Sequence, residues 1–341
     1  MSKKILVTGT AGFIGGYVVQ EFLNNGYTVV GVDNYSKYGE VVKSYDSHPN
    51  YHFQKADCKN VELLSELAAD CDHFIAGAAM IGGISYFHEL AYDLIAENER
   101  IIAATFDAAI DAFKKGKLQK ITVLSSSMVF ESSTQFPTPE GAELTSPPPK
   151  STYGFQKLAC EYFARGAFEQ YGLPYTIVRP FNCVGVGEQR AVTDKEVLSG
   201  NVKLAMSHVV PDLIQKILKG QDPLHILGDG TQIRHYTYGG DLARGIRLAV
   251  EHPEARNNDF NISTAKSTTV LELAELIWSK ASPGKPFRWV SDTPFEHDVQ
   301  RRVPDVSKSK RILGFEATTD LGEILDEVVP WVREQLALGN I

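Results

Sequence analysis

Gly9, Gly12 and Gly15 form a GxxGxxG pattern between an apolar run, Ile5-Leu6-Val7, and a stretch whose apolar residues recur at helical spacing. Those residues are Phe13, Ile14, Tyr17, Val18 and Phe22. The pattern therefore predicts a strand stopping at Thr8-Gly9, a tight turn, and a helix whose first N–H groups face a ligand. Glycine lets the turn close and lets a pyrophosphate approach the backbone, where the helix start favours negative charge. Glycine-rich turns are common, so the glycines need a second signal. Asn24-Asn25-Gly26 ends the helix, Thr28–Val32 is the next buried strand, and Asp33 stands at its end. A carboxylate there accepts from ribose hydroxyls and repels a 2′-phosphate, which favours NAD over NADP. Lys37 is the one nearby residue that would suit the phosphate. Gly9, Gly12, Phe13, Ile14, Gly15, Asp33 and Asn34 are the expected cofactor contacts of this region.

Strand-like and helix-like segments then alternate. Strands are expected at Phe74–Ala76, Ile121–Leu124 and Tyr175–Val178, with helices over about Glu89–Lys115 and Tyr153–Tyr171. This alternation implies parallel βαβ units and an α/β, Rossmann-type doubly wound sheet. The segment from Pro137 to Pro149 carries five prolines and is expected to be a loop. After Pro180 the texture changes. A long irregular loop over Gly185–Gly200 precedes expected helices at Val210–Leu218, Gly240–Glu251, Val270–Lys280 and Leu321–Leu336. The predicted division is residues 1–180, completed by part of 231–265, as the dinucleotide-binding domain. Residues 181–341 then form a smaller α/β substrate lobe.

Composition narrows the partners. The 341 residues are 43% apolar and 22% charged, with a formal charge of −8. That excludes a disordered chain and argues against nucleic-acid and anionic-membrane partners. Cys58, Cys71, Cys160 and Cys183 show neither CxxC nor metal-ligand spacing, so no metal is expected and reduced thiols in the cytoplasm are. Lys3-Lys4 before an apolar stretch imitates a signal peptide, but Gln20 and Glu21 follow instead of a small-residue cleavage site. No run reaches the length of a membrane span.

The chemistry-bearing pattern is Tyr153 and Lys157, four residues apart on one helix face. An ammonium beside a phenol stabilises the phenolate, which can take a proton from a hydroxyl as hydride leaves the same carbon. Tyr-x-x-x-Lys alone carries little information. Here it follows Leu124-Ser125-Ser126-Ser127, where a hydroxyl can bind the same substrate oxygen.

Together these stretches resemble the extended short-chain dehydrogenase/reductase family, and within it the nucleotide-sugar epimerases and dehydratases. The resemblance rests on VTGTAGFIG, Asp33, Ala56-Asp57, Gly77-Ala78-Ala79, Glu97-Asn98, SSSMVF, Tyr153-Gly154-x-x-Lys157, Arg179-Pro180-Phe181-Asn182, His208-Val209-Val210-Pro211, Gly228-Asp229-Gly230, Arg234 and Pro304-Asp305-x-Ser307-Lys308. They run in order over nearly the whole chain. The resemblance implies a catalytic set of Ser126, Tyr153 and Lys157. It places Asp57 and Cys58 at the adenine, Ala78 and Ala79 along the nicotinamide side, and Asn98 as support for the cofactor. It implies a substrate set of Met80, Ser127, Asn182, His208, Val209, Arg234 and Arg302, with Asn182 and the arginines holding a diphosphate. Arg301 is the rival of Arg302. Arginine suits that role because its fork makes paired bonds to phosphate oxygens. Relatives of this kind are often homodimers joined through two helices each, here Glu89–Lys115 and Tyr153–Tyr171.

The position after Ser126 bears on the reaction. Dehydratases of the family carry Asp-Glu there and decarboxylases a Glu, whereas this chain has Ser127-Met128. Related 3,5-epimerising enzymes carry a cysteine at the Met128 position, which is also missing. Met80-Ile81-Gly82-Gly83-Ile84 and His208 nevertheless resemble features of that group. A 4-epimerase needs the least equipment, so the expectation is NAD-dependent 4-epimerisation of a UDP-sugar. The alternatives are a 3,5-epimerase or epimerase–reductase using His208, and a non-catalytic NAD sensor or scaffold. Phe130 in place of the usual tyrosine, with no glycine after it, and Val184-Gly185-Val186-Gly187 depart from the pattern. The segment Glu188–Ala205 is expected to lie over the sugar.

Overall fold

Seven parallel strands form the central sheet: β1 (Lys4–Thr8), β2 (Thr28–Asp33), β3 (Tyr51–Lys55), β4 (His73–Ala76), β5 (Lys120–Leu124), β6 (Tyr175–Pro180) and β7 (Asn258–Ile262). This computed structural model describes residues 3–81, 90–192, 196–205, 208–294 and 299–341. The strand order is β7-β6-β5-β4-β1-β2-β3, so the order in which strands are added reverses between β1 and β4. A ligand crevice opens at such a switch point, outside the carboxyl ends of the strands. Nearly continuous apolar runs are what a sheet covered on both faces requires. Ile5 and Val7 point to one layer, with Val18, Phe22, Leu242 and Ile246. Leu6 points to the other, with Leu64, Phe106 and Ile177.

The helices are α1 (Phe13–Asn24), α2 (Val61–Ala69), α3 (Ala91–Lys114), α4 (Thr152–Tyr171), α5 (Val209–Leu218), α6 (Gly239–Glu251), α7 (Val270–Ala281), α8 (Ser307–Leu313) and α9 (Leu321–Leu338). Their bounds follow the sequence periodicity to within a residue or two, with two exceptions. Glu89 lies outside the described residues, and β3, α2, β7 and α8 were not expected from the sequence as separate elements. β7 pairs with β6, and α6 shares a core with α1 through Leu242, Ile246 and Val18. Residues well past 180 therefore complete the sheet. Leu313 and Phe315 join the same core from beyond that range. The second lobe has its own core, where Leu213 and Ile217 of α5 meet Leu273, Ile277, Ile324 and Val328.

The irregular loop expected over Gly185–Gly200 is in part a hairpin, Glu196–Ser199 against Val202–Ala205. Its approach does not lie solely over the sugar end. Val192 N donates to Lys37 O at 2.8 Å, so the segment reaches across to the loop after β2.

Candidate active site

A cavity of about 1120 Å³ runs from the β1–α1 turn to the second lobe, above the range of about 300–1,000 Å³ usual for one small ligand. At its cofactor end Gly9 holds φ +81°, in the left-handed region that glycine enters without strain. A Cβ on Gly15 would stand 2.0 Å from Gly9 O, so no other residue fits there without opening the turn. Asp33 fixes the arrangement: its Oδ2 accepts from Ala11 N at 3.0 Å and its Oδ1 from Tyr35 N at 2.8 Å. Each carboxylate oxygen has a second lone pair for a ribose hydroxyl. The glycine cradle and this acid fit a dinucleotide without 2′-phosphate. Lys37 also lines the cavity, but its ammonium lies 4.7 Å from the centre of the Tyr38 ring.

The catalytic end is built by two short segments. Ser126 caps the single turn Ser127–Phe130, accepting from Met128 N at 3.2 Å. Tyr153 and Lys157 stand on the first turns of α4, whose cap Ser151 accepts from Gly154 N at 3.0 Å. Both side chains are largely buried, and Lys157 Nζ donates to Leu124 O at 2.9 Å. That bond uses one of three ammonium protons and anchors the lysine to the end of β5. Met128 packs with Tyr153 and Leu94.

Ser126, Ser127, Met80, Tyr153, Lys157, Asn182, His208, Val209, Arg234 and Arg302 all line the one cavity with Asp57, Cys58, Ala78 and Ala79. Asn98 does not. Its Nδ2 donates to Met80 O at 2.9 Å and its Oδ1 accepts from Met80 N at 2.6 Å, so both amide atoms clamp the strip beside the cofactor end. Arg302 Nη1 approaches Asn182 Oδ1 at 3.5 Å, and Arg234 Nη1 donates to Ile233 O at 3.0 Å. Asn182 holds φ +37°, an uncommon backbone state for a side-chain-bearing residue. Arg301 instead lies 4.7 Å over the Phe136 ring and is absent from the described cavity lining, which Arg302 joins. Gly82, Gly83 and Ile84, part of the motif beside Met80, lie outside the described residues.

Two site groups escaped the sequence reading. Glu131 Oε2 accepts from Ser151 N at 3.0 Å and Ser151 Oγ at 2.8 Å, tying the α4 cap to the cavity wall. Its signal was the missing glycine after Phe130. Glu188 pairs with His208 Nδ1. Burial pushes the Glu188 carboxyl up, but His208 and Lys37 outweigh it and leave it below the usual range. Nothing in the sequence links two residues twenty apart across an irregular segment.

The sequence profile of the NAD dependent epimerase/dehydratase family matches residues 5–263. The chain belongs to this family. NAD is the cofactor of this family, and the glycine turn with Asp33 has the chemistry to receive it. A solved UDP-glucose 4-epimerase from Thermotoga maritima, crystallised with UDP-glucose, is 30% identical, with TM-score 0.79 over 98% of this chain and 99% of that one. A UDP-glucuronic acid 4-epimerase from Bacillus cereus, in complex with UDP-glucuronic acid and NAD, is 25% identical, with TM-score 0.80 over 97% and 99%. A UDP-N-acetyl-alpha-D-glucosaminuronate decarboxylase of Bacillus cytotoxicus is 28% identical over 98% of this chain and 99% of its own. The family thus spans more than one reaction at similar identity, and the side chains around Tyr153 must distinguish them.

Proposed function

We propose that the protein is an NAD-dependent 4-epimerase of nucleotide-diphosphate sugars, with UDP-hexoses as its substrate class. The observation that carries this reading is the company Tyr153 keeps. Ser126 and Lys157 share the cavity with it, and the buried neighbour Met128 is neither an acid nor a thiol. Decarboxylation, dehydration and C3/C5 epimerisation each ask for a further proton-transfer group, which a thioether cannot supply. Bound NAD supplies the hydride acceptor and donor. Tyr153, as phenolate beside the Lys157 ammonium, takes the proton of the sugar O4 while Ser126 holds the same oxygen. Asn182, Arg234 and Arg302 hold the diphosphate, leaving the sugar free to turn its other face before Tyr153 returns the proton. One base serves both directions, so no further group is needed.

A second reading has one observation behind it. His208 lines the cavity and is paired with Glu188, an arrangement able to move a proton at C3 or C5. Proton NMR in D2O, with UDP-glucose, UDP-N-acetylglucosamine, UDP-glucuronate and GDP-mannose and no added cofactor, separates the two. A C4 epimer free of deuterium is expected. Deuterium at C3 or C5 would transfer the chemistry to His208, and a panel left unchanged would refute both readings for these sugars.

The same proposal includes a homodimer in the cytoplasm. Phe155 and Tyr162, seven apart on one face of α4, are 47% and 58% exposed, and Tyr92 on α3 is 75% exposed, which suits a face covered by a second copy. Light scattering should give twice the chain mass, and Tyr162→Glu should give the single mass. A monomeric wild type would end the dimer proposal. The cytoplasmic placement is supported by four free cysteines. Burial pushes Cys58 and Cys71 up to about 12 and Cys160 to about 11. Among the described residues no helix is long and apolar enough to cross a membrane.

A further inference from the structure

Two buried charged side chains line the cavity in the second lobe, and the proposed reaction uses neither. Asp212 and Lys216 lie one turn apart on α5, so they share a face, and both contribute to the cavity wall. Their side chains are 8% and 2% exposed, with Lys216 Nζ 3.0 Å from Asp212 Oδ2. Lys216 also donates to His225 O, in the strand Leu224–Leu227, at 3.1 Å. An ammonium has three donors, so one N–H remains after these two contacts. Asp212 Oδ1 is buried and makes no hydrogen bond to any described residue. Native proteins leave few such atoms unmet, because an orphaned buried acceptor loses its water without replacement. Leu213, Ile226 and Val270 line the cavity too, giving apolar walls suited to a flat ring.

Of the three parts of a nucleotide sugar, the sugar belongs at Tyr153 and the diphosphate at Arg234 and Arg302. The base is left for this remaining part of the lining. We propose that Asp212 and Lys216 select that base: Asp212 Oδ1 accepts the N3–H of a uracil ring, and Lys216 donates its remaining N–H to the neighbouring O4. The inference rests on the nucleotide-sugar reading above. Cytosine in the same seat presents a lone pair at N3 and an amino group at position 4, so it meets the carboxylate and the ammonium with the wrong partner twice.

The test is calorimetric binding of UDP and of CDP to the NAD-loaded protein. It belongs near pH 8, because burial raises the Asp212 carboxyl above the usual range and only the ionised form accepts at both oxygens. UDP is expected to bind at least about a hundredfold more tightly than CDP, since a site built around a hydrogen-bonded edge strongly rejects the analogue that lacks it. In Asp212→Asn the amide can turn either its oxygen or its NH2 to the ring, which should bring the ratio below about tenfold. A cooperative melt and retained NAD show that the variant is folded. A wild-type ratio under about tenfold overturns the proposal, as does an undiminished ratio in folded D212N. If D212N does not fold, UDP labelled with 15N at N3 gives a second reading on the wild type. An imino proton protected from exchange is expected, and one exchanging as in free UDP overturns the proposal. Neither assay needs sugar turnover, so base selection can fail while epimerisation stands, and the reverse. Binding of neither nucleotide would remove the nucleotide-sugar reading and this proposal together.

Discussion

Single atoms decide much of this site. The 2.0 Å between Gly9 O and the place of a Gly15 Cβ leaves no room for a methyl group. Gly15→Ala is therefore expected to be isolated without NAD, by absorbance and extraction, while a variant retaining full cofactor would contradict the cradle described above. Tyr153→Phe keeps the ring against Met128 and Leu94 and removes only the hydroxyl. It should retain NAD and its melting temperature yet lose about 10²–10⁴ in turnover, the usual worth of a positioned base. Turnover within a few-fold of wild type would mean that another group moves the proton. Both residues were legible in the sequence, because turn geometry and helix spacing are local properties. Asn98 shows the limit of that reading. Its amide meets the Met80 backbone, a contact set by how α3 lies across the sheet.

At the scale of elements, α4 must hold Tyr153 still against β5. The holding group is a buried ionic cluster. Arg179 of β6 donates through Nε to Glu161 Oε1 at 2.8 Å and through Nη2 to Glu161 Oε2 at 2.7 Å, and its Nη1 reaches Asp259 Oδ2 at 2.7 Å. Glu143 and Arg165 close the group, and Lys308 pairs with Asp259. Ser125, next to Ser126, donates to Glu161 Oε1 at 2.6 Å. The cluster thus ties β6 and the residue that follows β5 to α4. Removing one member leaves uncompensated buried charge, so Arg179→Leu should cost about 3–5 kcal/mol in urea unfolding. A loss under about 1 kcal/mol would show that the cluster relaxes around the gap. None of this was visible in the sequence: Glu143, Glu161, Arg179 and Asp259 come from four separate elements, and no local spacing relates them.

For the whole molecule, the amino-terminal end of the central strands carries a pH dependence. His73 opens β4 and Lys120 lies beside it in register on β5. Burial lowers His73 from 6.5 to about 4, with Lys120 adding to the effect. Burial likewise lowers Lys120 from 10.5 to about 7. Between the folded and unfolded values of each group, the unfolded chain holds a proton that the folded chain has released. Stability should therefore rise with pH from about 4 to 6.5 and again from about 7 to 10.5. Lys120→Met is expected to flatten the upper rise and to raise the urea midpoint at pH 7. An upper slope unchanged in the variant would assign it to other groups.

The sequence by itself determined the doubly wound sheet and the glycine turn, and its family resemblance singled out Ser126, Tyr153 and Lys157, which line one cavity. The sheet and the turn are specified by hydrophobic period or by spacing within a few residues, and such local rules survive without the rest of the molecule. Only the tertiary structure decided that Leu313 and Phe315 join the first core, that Arg302 rather than Arg301 faces the cavity, and that Glu188 meets His208. It also left Asp212 with an unanswered oxygen. These depend on which distant surfaces are pressed together and on what burial then does to their charges. A periodicity of two or 3.6 residues carries no record of either.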